Sequence, residues 1–325
     1  MAARLEATHS LSPLRLVDLR QVSAPQIEPL LVEENAAWRD QLEWDFDKSA
    51  DLVRRFVDLR ALNGYALLEG REVAGYVYYV LEEQKGLIGD LYVRRRSRTP
   101  ERENLLLGSA LETIASTSAV RRIESQLMLI DSEEVRPKAL HNYLRTFERN
   151  FMYVDLRNAP LAEGRVRRPF YLERWSDHYQ DSAAHLIAEA YAGHVDSQIN
   201  DQYRSAAGAR RFLFNIVQYP GCGIFYRPAS YAAMDASTGR LAGVSLASML
   251  SPGSGHITQI CVAPGWRGAG VGHALLRHSL LTMRDAGCAS ASLTVTASNE
   301  DAVALYRRMG FATVRRFSAY VWEGF

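Results

Sequence analysis

Cysteine is scarce in this 325-residue chain. Only Cys222, Cys261 and Cys288 occur, and their spacing is not that of metal ligands. An odd, sparse set argues against a disulfide framework and for a reducing compartment. Long apolar runs are also missing: no stretch approaches the ~20 residues that would cross a bilayer. There is no excess of either charge, since 38 Lys and Arg stand against 37 Asp and Glu, a net charge of +1. That balance excludes a general electrostatic pull toward nucleic acid or an anionic membrane. Residues 1–13 lack the apolar centre of a signal peptide. They are expected to be a disordered N-terminus, and the chain is expected in the cytoplasm.

Hydrophobic residues make up 47% and charged residues 23%, the balance of a soluble globular protein. The length predicts two domains, at ~100–200 residues each.

The second half has the clearer pattern. Phe170–Trp175 is a predicted strand, and Asp177 to about Ala207 is helical in composition. Tyr226–Met234 and Arg240–Met249 are predicted strands joined by a Ser-Thr-Gly turn, a hairpin signal. His256–Val262 is the next strand, followed by a glycine-rich stretch, Pro264–Gly272. Val271–Ala286 has helical spacing, with Leu276, Leu280 and Met283 on one face and Gly287 as its stop. A strand over Ala291–Thr296, a helix over Asn299–Met309 ended by Gly310, and a strand over Phe317–Trp322 complete the order.

The first half repeats this plan. Leu14–Leu19 matches the opening strand, and the hairpin returns as Tyr65–Leu68 and Val73–Leu81. Ala74-Gly75 falls on Ala242-Gly243, and Leu87–Val93 falls on His256–Val262 without gaps, an offset of 168–169 residues. The reading is a tandem duplication, with the junction near Asn158–Arg168, a stretch containing Pro160 and Gly164. Domains are therefore expected over 14–160 and 167–325.

The sharpest motif is Arg267-Gly268-Ala269-Gly270-Val271-Gly272, set between a strand and a helix. Glycines let backbone N–H groups converge, and the following helix adds the positive end of its dipole; together they suit phosphate oxygens. Alone, such a loop is also what a tight strand-to-helix turn looks like. A dinucleotide fingerprint fits poorly, because the spacing is G-x-G-x-G and no acidic residue follows the next strand. A nucleoside-triphosphate loop is excluded by the absence of Gly-Lys-Ser/Thr.

Val262 to Gly272 resembles the first signature, R-x-x-G-x-G, of the GCN5-related N-acetyltransferase (GNAT) superfamily. Asn299-Glu300-Asp301-Ala302-Val303-Ala304-Leu305-Tyr306-Arg307-Arg308-Met309-Gly310-Phe311 resembles its second. The resemblance is strong over Gly239–Phe311 and only architectural in the first half. It implies an α/β (α+β) chain of two tandem GNAT-like domains, each a mixed, mostly antiparallel sheet flanked by helices. The layout is similar to that of mycothiol synthase. The implied activity is transfer of an acetyl group from acetyl-CoA, as co-substrate and without a metal, to a primary amine by direct attack on the thioester.

The resemblance also assigns positions. Backbone groups of Ile260, Cys261 and Val262 would meet the pantetheine arm and thioester, and Arg267, Gly268, Ala269, Gly270, Val271, Gly272 and His273 the diphosphate. Asn299 would contact the arm; equally, Ser298 or Asn299 caps the helix. Tyr306 would protonate the leaving thiolate, since a phenol of pKa ~10 is protonated at neutral pH. Family members often place a Glu or His eleven residues before the loop arginine; here that is His256, an imidazole suited to take a proton near neutrality.

In the first half Leu87 stands at the His256 position. Arg94-Arg95-Arg96-Ser97-Arg98 replaces the glycine loop and is expected to be a solvated loop. Asn150-Phe151 is the counterpart expected for Gly310-Phe311. That half is therefore expected to be non-catalytic, a structural partner in a pseudo-dimer. The resemblance implies a small-molecule amine or a peptide N-terminus as acceptor, met by residues 193–203, a stretch that equally reads as a solvated loop. A non-catalytic acyl-CoA sensor is the alternative of another class. The chain would be a monomer or a homodimer.

Overall fold

The computed structural model describes residues 14–130, 138–219 and 221–325. The expectation for residues 1–13 falls outside them. The first half runs β1 (Leu14–Asp18), α1 (Ala24–Leu42), α2 (Asp47–Asp58), β2 (Asn63–Glu69), β3 (Glu72–Glu82), β4 (Lys85–Val93), α3 (Pro100–Ala115), β5 (Arg122–Gln126) and β6 (Leu144–Asp155). The second half runs β7 (Phe170–Arg174), α4 (Gln180–Ala190), α5 (Asp196–Ile199), α6 (Ala206–Gln218), β8 (Ile224–Phe225), β9 (Tyr231–Asp235), β10 (Leu241–Ser251), β11 (Ser254–Val262), α7 (Val271–Asp285), β12 (Ser290–Thr296), α8 (Glu300–Arg308) and β13 (Ala312–Glu323). No described helix is long and apolar enough to cross a membrane.

All strands join one sheet, in the order β1-β2-β3-β4-β5-β13-β6-β12-β11-β10-β9-β7, with β8 also pairing β10. Period-two alternation gives each half two buried faces. Ala66 and Tyr76 pack toward α1 and α2, while Leu67 and Val77 pack toward α3. In the second half Val244 and Leu246 pack toward α4 and α6, and Ala247 and Ile257 toward α7 and α8.

The sheet order carries a finding that the sequence pattern does not predict: the two halves exchange their last strands. β13 pairs β5, with Trp322 opposite Ile123, and β6 pairs β12, with Met152 opposite Leu293. The exchanged strands fill each other's cores. Tyr320 and Trp322 bury among Leu91, Leu107 and Leu111 of the first half. Met152 and Val154 bury among Leu276, Leu280 and Val303 of the second. Each such side chain contributes roughly 1.5–3 kcal/mol on burial, so neither half completes its core alone.

Several local expectations need correction. The helical stretch from Asp177 breaks at Tyr191–Val195, where Gly193 takes φ +72°, and a further helix, α6, follows because the Ser205 side chain caps it by accepting from the Gly208 N–H at 3.0 Å. Strand β9 starts only at Tyr231; Arg227–Ala229, with Pro228, form a 3-10 turn. Asn150 and Phe151 lie within β6, opposite Val295 and Thr294, so no helix ends there.

The two halves repeat in detail. Parallel pairing joins β4 to β5 over Lys85–Ile88 and β11 to β12 over Ser254–Ile257, then stops in both. Both carry a bulge just beyond, at Gly89 and Thr258. In each, the next side chain accepts from the N–H that follows it: Leu91 N–H donates to Asp90 Oδ1 at 2.8 Å, and Ile260 N–H to Gln259 Oε1 at 3.0 Å.

Candidate functional site

β12 pairs β6 along its whole length but β11 only as far as the Ile257–Leu293 pair, so among the described residues Thr258–Val262 has no parallel neighbour. The opening leads into a cleft of about 640 Å³ lined by β11, the glycine loop, the start of α7 and one face of α8. Ile260, Cys261, Val262, Arg267, Gly268, Gly270, Gly272, His273, Asn299 and Tyr306 all line it. Of the other predicted loop residues, Ala269 and Val271 are buried beneath it with Trp266 and Leu275.

The loop is built for exposed amides. A 3-10 turn, Pro264–Trp266, ends β11, and Gly268 and Gly270 then take φ +76° and +95°. An L side chain rarely adopts either angle. Gly270 is the N-cap of α7 and no side chain caps that helix. The first-turn N–H groups are thus left for an external acceptor, an anion by preference. These residues fit the diphosphate of a coenzyme A thioester.

On the strand, the Ile260 N–H is held by Gln259, whose Oε1 also accepts from Tyr191 OH at 3.1 Å. Gln259 Nε2 is buried with no hydrogen-bond partner among the described residues. The Cys261 thiol is buried, and desolvation raises its pKa well above the usual range, so it stays protonated.

Tyr306 lies on α8, capped by Asn299, whose side chain accepts from the Ala302 N–H at 3.3 Å. The capping role therefore holds, and Asn299 also lines the cleft. Burial raises the Tyr306 phenol, Asp196 raises it further and Arg149 opposes them; it is a hydrogen-bond donor at any physiological pH.

A polar group that sequence reasoning did not single out stands beside it. His194 lines the cleft, its Nδ1 3.1 Å from the Asp196 N–H and its Nε2 3.3 Å from Asn299 Nδ2. A neutral imidazole accepts at one nitrogen only, so these contacts compete. The Asp196 carboxylate bonds Thr296 Oγ1 and lies 3.4 Å from Arg149 Nη1. Arg149 comes from the exchanged strand β6, and its buried Nε has no hydrogen-bond partner among the described residues.

His256 stands apart from this group. It is buried at 4% exposure, outside the cleft lining, with Nδ1 2.9 Å from Ser292 Oγ. Its ring packs 5.3 Å from Trp44 and stacks on Phe151, both supplied by the first half. Desolvation lowers its pKa to about 4.

The corresponding place in the first half is already filled. The Arg95 N–H donates to Glu33 Oε1 at 2.6 Å, and Thr99 caps α3 by accepting from the Arg102 N–H. Of the arginine run expected to be a solvated loop, Arg95 and Arg96 are exposed, whereas Arg94 pairs with Glu72 at 2.6 Å and Arg98 with Glu103 at 3.2 Å.

Comparison with known proteins agrees with this geometry. Residues 199–311 match the acetyltransferase (GNAT) family. Streptothricin acetyltransferase of Streptomyces lavendulae is 48% identical over 56 residues, 17% of this chain and 30% of that protein. Mycothiol acetyltransferase of Thermobifida fusca is 33% identical over 89 residues, 25% of this chain and 28% of that protein. The matches thus span under a third of either relative's length. In fold, a tandem GNAT protein from the clavulanic acid biosynthesis pathway aligns over 96% of this chain and 98% of its own, with TM-score 0.59 at 18% identity. The likeness to the GNAT acetyltransferase family thus lies in the C-terminal half, over about a third of the chain.

Proposed function

We propose that the chain transfers an acetyl group from acetyl-CoA to the primary amine of a small polar molecule, at the cleft of its C-terminal half. The observation that carries this reading is the opening between β11 and β12 into a cleft lined by both the glycine loop and Tyr306.

The amine nitrogen attacks the thioester carbonyl carbon. The oxygen gains charge and takes the Ile260 N–H as donor. Gln259 Oε1 must give up that N–H, so one hydrogen bond replaces another and little is lost. When the C–S bond breaks, Tyr306 donates a hydrogen bond to the departing sulfur. Its raised pKa keeps the proton on the phenol, so beside a thiolate whose conjugate acid lies near ~8.5 it acts as a hydrogen-bond donor, and CoA departs as the thiolate. For the amine proton we assign His194, the imidazole that faces the cleft beside Asp196, in place of His256, which is enclosed.

The first half, on this reading, is a duplicated and non-catalytic copy that holds the acceptor loop. Arg122 Nη2 donates to the Gln198 carbonyl at 2.6 Å, Lys85 Nζ lies 2.5 Å from Asp201 Oδ1, and the Asp201 N–H donates to Glu124 Oε1 at 3.1 Å. The acceptor preference follows the relatives named for streptothricin and mycothiol.

The test is thiol release from acetyl-CoA across a panel of small amines and peptide N-termini. Turnover on small amines is expected, with Tyr306→Phe lowering kcat at least ~10²-fold and leaving the KM for acetyl-CoA within about threefold. Binding of acetyl-CoA without turnover on any amine would make the protein a sensor, and turnover on peptides alone would overturn the acceptor class.

A further inference from the structure

The segment joining the two halves lies across the glycine loop. The Arg167 N–H donates to the Ala269 carbonyl at 3.1 Å. A Cβ on Gly270 would come 2.5 Å from the Arg165 carbonyl oxygen, and one on Gly164 would come 2.4 Å from His273 Nδ1. The segment is pinned at its far end, where the Arg168 guanidinium stacks 3.6 Å from the Trp266 ring centre and bonds Asp235 at 2.8 Å. Residues 164–168 therefore form a strap seated directly over the start of α7.

That seating puts Arg165 and Arg167 in the cleft lining, with Arg267 and Arg308. Asp301 is the one carboxylate among the lining residues. Arg267 donates to the Ala190 carbonyl at 2.7 Å and Arg168 is paired outside the cleft. The side chains of Arg165, Arg167 and Arg308 make no hydrogen bond or ion pair among the described residues, whereas most other arginines here are paired. His273, at the same corner, is lowered below its ordinary pKa by burial first, then by the nearby Arg277 and Arg308. Unpaired cations brought together by a linker fixed at both ends call for an anion. The uncapped amides of α7 suffice for a diphosphate; the arginines above them suit a further phosphate.

We propose that the interdomain strap is a phosphate-binding element, in which Arg165 and Arg167 receive the 3′-phosphomonoester of coenzyme A while the loop amides receive its diphosphate. This rests on the coenzyme A reading above. It makes the covalent junction of the two halves part of the ligand site, so the occupied cleft ties them together.

Dephospho-CoA, which lacks only that monoester, isolates the claim. Calorimetric titration of the full chain with CoA and with dephospho-CoA is expected to show preference for CoA. Arg165→Ala/Arg167→Ala should weaken CoA about 10–100-fold and dephospho-CoA by less than about threefold, and Arg165→Lys/Arg167→Lys should recover most of the loss. Limited trypsin cleavage after Arg165 and Arg167 in the wild type, which requires no variant, should be slowed by CoA more than by dephospho-CoA. Equal weakening of both ligands, or equal protection by both, would overturn the strap's role and leave the coenzyme site standing. A wild type that binds neither ligand would remove both readings.

Discussion

His256 offers a quantitative test of how the two halves enclose the site. Its folded-state pKa is about 4 against 6.5 for a free imidazole, because Trp44 and Phe151 leave it no water. The unfolded chain takes a proton on this ring below pH ~6.5, and the folded chain does not until about 4. The unfolded state therefore binds more protons between those values, and the ring's contribution to stability is complete above pH ~6.5, falls as pH drops toward 4, and is flat below. At about 1.36 kcal/mol per unit, the wild type should lose about 2.5 kcal/mol between pH 7.5 and 4.5 through this group alone. His256→Gln, which keeps a partner for Ser292 but cannot titrate, should lose that much less over the same interval. Urea unfolding of both proteins at the two pH values gives the double difference, in which every other titrating group cancels. Parallel pH dependences, within about 0.5 kcal/mol, would refute the enclosure. The same burial predicts that any acidic limb of kcat/KM between pH 6 and 7 persists in His256→Gln, since a ring with pKa near 4 does not titrate there.

Asp90 should behave with the opposite sign. Burial raises it to about 6, and its stabilising contribution is present below pH ~3.8 and lost as pH rises through 6. Asp90→Asn keeps an acceptor for the Leu91 N–H, so it should stabilise the protein by about 1–3 kcal/mol at pH 8, with the gain vanishing near pH 4 in the same urea assay. Arg122→Ala should cost about 2–4 kcal/mol, less than the full penalty of breaking a buried pair because Asp201 and Glu323 are each about a third exposed. It should also raise the acceptor KM about tenfold and leave the acetyl-CoA KM within threefold; equal rises in both would show that the first half does not act through the acceptor loop.

What was legible in the sequence was local. The uncapped glycine loop, the Asn299–Gly310 helix with its acids first and arginines last, and the hairpin of β9 and β10 are written in neighbouring residues. So were the matching strands Leu87–Val93 and His256–Val262, whose bulges and self-held N–H groups coincide. Strand exchange was not legible, because β13 meets β5 and β6 across more than 150 residues with no sequence mark of partner choice. Three misses follow from it. Arg149 enters the second half's site on a strand that seemed to belong to the first. His256 looked accessible because the residues that cover it, Trp44 and Phe151, lie in the other half. Asn150-Phe151 reads as a helix end by analogy with Gly310-Phe311, yet β6 runs through it. The strap arginines lie in the stretch that reads as a junction, and their seating over Gly270 depends on tertiary packing.

One charge explains why, on the proposed reading, a single half retains chemistry. Both halves hold the N–H after the bulge with a neighbouring oxygen, but the oxygen's charge differs. Gln259 is neutral and takes its second hydrogen bond from Tyr191, so a developing oxyanion can replace it. Asp90 forms a buried pair with Glu34, which Tyr76 and Trp38 also contact. Burial raises both carboxyls, Glu34 well above the ordinary carboxylate range and Asp90 to about 6, so the pair holds negative charge beside that N–H at neutral pH. An oxyanion near 4 Å from that charge would meet a repulsion of about 4 kcal/mol at an effective dielectric of 20, roughly a thousandfold in rate. Neutralising Asp90 alone would not revive the site. Glu33 still holds the Arg95 N–H and Thr99 still caps α3, so the seat for a diphosphate stays occupied from within.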